Sequence, residues 1–109
     1  MKPKKLIRDG NWIKIINPDE LERINDKDEL NKLFLLKIRE EMQEIINSNF
    51  QDIYEFADLL QVCKDFSELN FNVEDIKKAI ANKVLIKGTF TNLTLTNLNP
   101  DNPSNSIYL

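Results

Sequence analysis

The sequence contains no histidine, one cysteine, two glycines and four prolines. Without histidine, the usual zinc sites and the nucleophilic mechanisms that need a Ser–His or Cys–His pair are excluded. A single cysteine excludes a disulfide within the chain. The scarcity of glycine and proline favours long helices over many short strands. Any catalysis therefore has to use carboxylates, lysines or a hard metal ion.

The composition is that of a globular domain, with 30% charged and 41% hydrophobic residues in a chain of 109. Fifteen Lys and Arg residues against eighteen Asp and Glu give a net charge of −3. This balance disfavours nucleic acid as a partner, although the basic start of the chain could contact it weakly. The apolar runs are too short to cross a membrane, and no apolar stretch typical of a signal peptide follows the first lysines. We therefore expect a cytoplasmic protein without a membrane partner.

Helical periodicity and capping residues predict an all-α fold. Helices are predicted at about residues 19–26, 27–48, 51–70 and 73–85. Asp28 and Asn72 are the expected N-caps of the second and fourth helices, and Ser48 and Asn49 the end of the second. The short link from Asn47 to Phe50 predicts an antiparallel hairpin. We expect a helical bundle over residues 1–90, followed by a polar extended tail, residues 91–109.

Acidic residues fall on the helix faces that should be buried. At about 100° per residue, Glu41 and Glu44 lie on the apolar face of the first long helix, with Glu40 at its edge. On the second long helix, Glu55 lies within a wide apolar face and Asp58 at its margin. The other residues of that face are apolar or weakly polar, and we expect them to be core, including Phe56, Leu60 and Cys63.

Four inward-pointing carboxylates need a cation among them. Each buried carboxylate costs several kcal/mol, and the sum would rival a typical domain stability of about 5–15 kcal/mol. Lys37 and Arg39 are predicted to point elsewhere on the helix. An all-oxygen ligand set suits a hard cation, so the sequence predicts that Glu41, Glu44, Glu55 and Asp58 hold Mg²⁺ or Mn²⁺. A merely structural network of charges is the alternative.

These acids also carry a resemblance to a known family. Glu40-Glu41-x-x-Glu44 followed by Glu55-x-x-Asp58 resembles the E-E-x-x-E and E-x-x-D signature of the all-α nucleoside triphosphate pyrophosphohydrolases, the MazG-like group. The opening Lys5-Leu6-Ile7-Arg8-Asp9 is similar to the K-L-V-R-D of a small single-domain branch, described as house-cleaning or phosphoribosyl-ATP pyrophosphohydrolase-like. Lys83 and the run Lys87 to Phe90 resemble that branch's basic segment. The resemblance covers residues 4 to about 90.

The resemblance implies an activity and further site residues. Members hydrolyse a nucleotide with Mg²⁺ to a nucleoside monophosphate and pyrophosphate, and they assemble as dimers or larger oligomers. Glu40 is implied as an additional ligand or as the group that orients the attacking water, and with Glu41 it makes up the expected catalytic pair. The implied phosphate contacts are basic: Lys83, Lys87, Arg8 and Lys5. Lysines at a helix C-terminus also stabilise its dipole, so a structural role stays open for Lys83 and Lys87.

Two further expectations complete the interpretation. Wide apolar faces in so short a chain predict a homo-oligomer, a dimer or tetramer, because one copy leaves hydrophobic surface uncovered. The second concerns function. Instead of the family's usual K-I-P, the sequence Gly10-Asn11-Trp12 follows Asp9. This departure and the polar tail motivate an alternative, a non-catalytic helical interaction or regulatory module derived from the family.

Overall fold

The computed structural model describes residues 4–10 and 15–96. These residues form three α-helices and no strand: α1, Lys27–Asn47; α2, Ile53–Asn70; and α3, Val73–Lys87. A 3₁₀ helix, Pro18–Glu20, precedes them. None of these helices is long and apolar enough to cross a lipid bilayer. The predicted all-helical class is confirmed. The chain divides into two compact units, and the boundary between them in the sequence falls between Asn70 and Phe71.

The chain between the 3₁₀ helix and α1 is not helical, so the predicted helix over 19–26 is wrong. The Asn17 side chain accepts a hydrogen bond from the backbone N–H of Asp19, and Leu21 is already extended. This geometry limits the element to a single turn. Asp26 then caps α1 by accepting a hydrogen bond from the backbone N–H of Asp28, so the cap is Asp26 rather than Asp28.

A tight turn joins α1 to α2 and confirms the predicted hairpin. The helix ends at Ser48, as expected, and Asn49 and Phe50 follow in the left-handed region with φ of 56° and 61°. Their backbone N–H groups donate to carbonyls of the last turn of α1, which satisfies the helix end. The Asp52 carboxylate accepts a hydrogen bond from the backbone N–H of Tyr54 and starts α2.

Side chains along the two helices hold the hairpin together. At its open end, the Asn70 side-chain amide donates to the Asn31 side-chain oxygen over 2.9 Å. One turn further in, the rings of Phe34 and Phe66 stack with centroids 5.3 Å apart. Among the described residues, only Leu33, Ile45 and Glu41 are buried. The core of the first unit is therefore thin, and it includes a carboxylate.

The remaining apolar face of the hairpin is uncovered, which corrects part of the expected core. Leu60 is 69% exposed, Phe56 is 41% exposed and Cys63 is exposed. On α1, the exposed residues Leu35, Met42 and Ile46 follow the spacing of one helix stripe. Periodicity predicted that Phe56, Leu60 and Cys63 are buried, but they are exposed in the first unit.

The second unit contains α3 and the residues after it. Asn72 caps α3 as predicted, accepting a hydrogen bond from the backbone N–H of Glu74. Gly88 ends the helix at φ 76°, a conformation that glycine adopts without strain. Residues 91–96 of the predicted tail form no helix or strand. Trp12 and residues 97–109 lie outside the described residues, and the predicted boundary at residue 90 stays a prediction.

Truncation of the core leucine tests this packing. Leu33 is 7% exposed, so Leu33→Ala should lower the free energy of unfolding by about 2–4 kcal/mol, because it removes buried surface and leaves a cavity. Leu36→Ala is the matched control, since Leu36 is 55% exposed on the same helix. It should cost less than about 1 kcal/mol. Urea denaturation of both variants measures the difference, and equal costs would contradict the assigned core.

Candidate functional site

Three acids from two helices meet at one place in the hairpin. Carboxylate oxygens of Glu41, Glu55 and Asp58 all lie within 4.8 Å of one another. Glu41 projects from the buried face of α1, while Glu55 and Asp58 are three residues apart and so share one face of α2. Opposite ligands of one Mg²⁺ are about 4.2 Å apart, from metal–oxygen distances of 2.0–2.1 Å. The cluster could therefore hold a metal ion.

A lysine on α1 already compensates part of this negative charge. The Lys37 ammonium lies 3.3 Å from Oε1 of Glu41 and 3.4 Å from Oε2 of Glu40. Its side chain is only 18% exposed. The expectation that Lys37 points elsewhere is wrong, because a residue four positions before Glu41 lies on the same helix face. The i to i+4 spacing of Lys37 and Glu41 would have predicted this ion pair from the sequence.

The N-terminal segment, residues 4–10, brings two more cations to the acids. Nζ of Lys5 donates a hydrogen bond to Oε1 of Glu40 over 2.9 Å. Nη2 of Arg8 donates to Oδ1 of Asp58 over 2.5 Å. Both cations were predicted as phosphate contacts, and in this structure they pair with carboxylates. The site is thus an alternating set of acids and bases rather than a group of unpaired acids.

The pKa shifts of Glu55 and Glu40 have opposite signs. Partial removal from water raises the pKa of Glu55, and the negative charges of Glu44, Asp52, Asp58 and Glu41 raise it further. No cation among the described residues forms an ion pair with Glu55. The hydrogen bond from Lys5 lowers the pKa of Glu40, and Lys37 contributes to the same effect. Within the three-acid cluster, Glu55 is therefore the acid that no described cation pairs with.

The other predicted site residues lie outside the three-acid cluster. Glu44, expected to point inward, is exposed in the last turn of α1, although its charge still acts on Glu55. Lys83 and Lys87 belong to the second unit, four residues apart on α3. Neighbouring protein atoms and the Lys83 ammonium lower the pKa of Lys87, so the two amines are close together.

A groove of about 1070 Å³ runs beside the acids. Glu41, Asp58 and Lys37 line it on the hairpin side, and residues 5–10 form the opposite wall. Most of the other lining side chains are apolar: Leu6, Ile7, Ile16, Phe34 and Val62. Gln61 and Asp65 of α2 add two polar positions. A space of this size can hold a nucleotide-sized ligand.

Comparisons with known proteins add nothing to this geometry: no protein-family model, no curated protein and no solved structure matches the chain. The functional interpretation therefore depends on the residues themselves.

Neutralising Glu55 tests the electrostatics of the cluster. Because the pKa of Glu55 is raised in the folded protein, its ionised form destabilises the fold at neutral pH, and protonation relieves this. Glu55→Gln should therefore raise the melting temperature at pH 7 in the presence of a chelator. The gain should shrink as pH falls through the carboxylate range, since the wild-type side chain then becomes protonated as well. Calorimetry at several pH values measures it.

Glu68→Gln provides the control on the same helix. Glu68 lies 3.6 Å from the Lys64 ammonium, so its neutralisation removes an attraction and should give no gain in melting temperature. A lower melting temperature for Glu55→Gln than for the wild type would contradict the uncompensated charge.

Proposed function

We propose that this protein is a Mg²⁺-dependent nucleotide pyrophosphohydrolase of the house-cleaning type, with Mn²⁺ as a possible substitute ion. The reaction adds water across a phosphoanhydride bond of a nucleoside triphosphate and yields a nucleoside monophosphate and pyrophosphate. One observation carries the proposal: three carboxylates from two helices converge beside a groove that basic side chains also line. The resemblance of the acidic motif to the MazG-like pyrophosphohydrolases supports the choice of reaction.

The acids supply the ligands that the reaction requires. Glu41, Glu55 and Asp58 are the core of the proposed metal site, and Glu44 is one turn away as a fourth ligand. A hard divalent ion at this site would neutralise phosphate charge and make water nucleophilic at neutral pH. The acids around Glu55 support the assignment, because their negative charges act on it and no cation among the described residues forms an ion pair with it.

Glu40 has the properties of a group that orients water. Its hydrogen bond from Lys5 lowers its pKa, so the carboxylate stays ionised at neutral pH. An ionised carboxylate accepts hydrogen bonds from two directions, and it can hold a water molecule by its O–H groups. Glu40 lies next to Glu41 in the chain and shares Lys37 with it.

Basic side chains provide the phosphate contacts in this proposal. Arg8 and Lys5 line the groove beside the acids, and a guanidinium can bind phosphate oxygens in a bidentate manner. Lys37 is a third cation, on the hairpin side of the groove. Lys83 and Lys87, four residues apart on α3, are proposed as further phosphate contacts on the resemblance alone.

Loss of a ligand should abolish turnover without unfolding the protein. A panel of nucleoside triphosphates with Mg²⁺ should release pyrophosphate from the wild type, and Asp58→Asn or Glu41→Gln should reduce the rate by at least about a hundredfold. Mg²⁺ at 100 times its Kd should stabilise the wild type by about 2.7 kcal/mol and leave both variants nearly unchanged. Glu68→Gln, on α2 and outside the site, should retain activity. Absence of pyrophosphate from every nucleotide tested would refute the enzyme proposal.

A second candidate function follows from the ion pairs. Lys37, Lys5 and Arg8 already compensate Glu41, Glu40 and Asp58, as a structural network in a non-catalytic interaction module would require. In that case, Asp58→Asn and Glu41→Gln change stability alone, and Mg²⁺ does not alter the melting temperature of the wild type. The thermal-shift comparison therefore discriminates the two candidates.

We also propose that a second copy of the chain covers the apolar face of the hairpin. That face, formed by Leu35, Met42 and Ile46 of α1 and by Phe56 and Leu60 of α2, is half or more exposed at most positions. A contiguous apolar surface of this kind is typical of an interface between subunits. Two buried apolar side chains in the described part of the chain are too few for a stable isolated domain of this length.

The oligomeric state can be measured directly. Light scattering of the wild type should give two or four times the mass of one chain. The Leu60→Glu variant should be a monomer, because the substitution places a charge in the interface. Leu36→Glu is the control, since Leu36 is rotated by about 100° from Leu35 around α1. A folded wild-type monomer at high concentration would contradict the proposed interface.

A further inference from the structure

We propose that Arg8 exchanges between two partners: Asp58 when the site is metal-free, and a substrate phosphate when a divalent ion has taken Asp58. As the ion binds, the ion pair between the N-terminal segment and α2 would break. The Arg8 guanidinium would then bind a phosphate of the nucleotide. This inference depends on the proposed metal site and adds to it an order of events and a role for one residue.

Side chains alone attach the N-terminal segment to the hairpin. Among the described residues, no backbone hydrogen bond joins residues 4–10 to a helix. The polar attachments are the ion pairs of Lys4 with Glu22 and Glu29, of Lys5 with Glu40, and of Arg8 with Asp58. Two of these partners, Glu40 and Asp58, belong to the predicted site. A cation that binds the site therefore competes directly with the attachment of the segment.

Charge balance favours exchange at Arg8. Glu41, Glu55 and Asp58 carry three negative charges, against the single positive charges of Lys37 and Arg8. If a divalent ion replaces Arg8 while Lys37 stays, three positive charges face three negative ones. The exchange thus balances the charges of the three carboxylates, which Lys37 and Arg8 alone leave one positive charge short.

Arg8 can leave its partner more easily than Lys37. The Arg8 side chain is 57% exposed, whereas that of Lys37 is 18% exposed and projects from the middle of α1. Moving an exposed guanidinium costs little because surface ion pairs contribute little stability. Arg8 lines the groove where it pairs with Asp58, so it would need to move little to reach a ligand there. A phosphate chain there offers the bidentate acceptor that a guanidinium prefers.

Removal of Arg8 should therefore change two affinities in opposite directions. Isothermal titration with Mg²⁺ alone should show that Arg8→Gln binds the ion about two- to fivefold more tightly than the wild type, because a competitor is gone. Titration with inorganic tripolyphosphate in saturating Mg²⁺ should show weaker binding by the same variant, about tenfold or more, because a charge-assisted contact is lost. Tripolyphosphate avoids any dependence on base or sugar.

Arg39→Gln is the matched control, since it removes the same charge from an exposed position of α1 that does not line the groove. Both of its affinities should stay within about twofold of the wild type. Unchanged Mg²⁺ affinity in Arg8→Gln, or equal effects in the two variants, would overturn the exchange while leaving the metal site intact. Absence of Mg²⁺ binding by the wild type would instead refute the metal site, and the exchange with it.

Movement of the segment can be followed without substitution of Arg8. Gly10 has open space for a side chain, and Cys63 of α2 is exposed. The Gly10→Cys variant therefore offers two spin-label positions, one in the N-terminal segment and one on α2. Mg²⁺ should broaden the distance distribution between the labels and shift it to longer values. A distribution that Mg²⁺ leaves unchanged, in a protein shown by titration to bind the ion, would overturn the proposal.

Discussion

The buried carboxylate of Glu41 is the constraint on which the rest of the structure depends. The same packing that buries Leu33 and Ile45 between α1 and α2 also buries Glu41, because these residues share one face of α1. An ionised group at this depth costs several kcal/mol unless a cation and hydrogen bonds compensate it. Positive charge beside Glu41 offsets this cost, and Lys37 supplies it at 3.3 Å.

Local regularities predicted the three α-helices and the placement of three acids. The periodicity of α1 and α2 correctly predicted that Glu41 is buried and that Glu55 and Asp58 share a face, because both properties follow from helix geometry alone. The same geometry should have revealed Lys37, four residues before Glu41. By contrast, the sequence did not distinguish Asp26 from Asp28 as the cap of α1, because either aspartate can accept a hydrogen bond from the backbone N–H two residues on.

Contacts between distant segments were beyond sequence reasoning. Arg8 and Asp58 are separated by 50 positions, and an extended segment has no periodicity that assigns it to one face of a helix pair. Sequence also shows that a face is apolar without showing what covers it. Leu60 and Cys63 were assigned to a core on their spacing, yet within the first unit no element reaches them. In both cases the sequence predicted the local conformation but not which other residues contact it.

The structural and the catalytic interpretations use the same residues. They differ in which cation compensates the acids: the protein's own lysine and arginine side chains in the first, and a bound metal ion in the second. Oδ1 of Asp58 accepts the hydrogen bond from Arg8, and the same oxygen would lose that bond on binding a metal ion. A network built only for stability would bring a cation to every acid of the cluster, yet no cation among the described residues forms an ion pair with Glu55. Partial removal from water raises the pKa of Glu55, and the negative charges around it raise it further. Uncompensated charge of this kind weakens the fold, and it is useful only where a further cation binds. The position of Glu55 therefore favours a site that is completed by an ion from solution over one that is complete in itself.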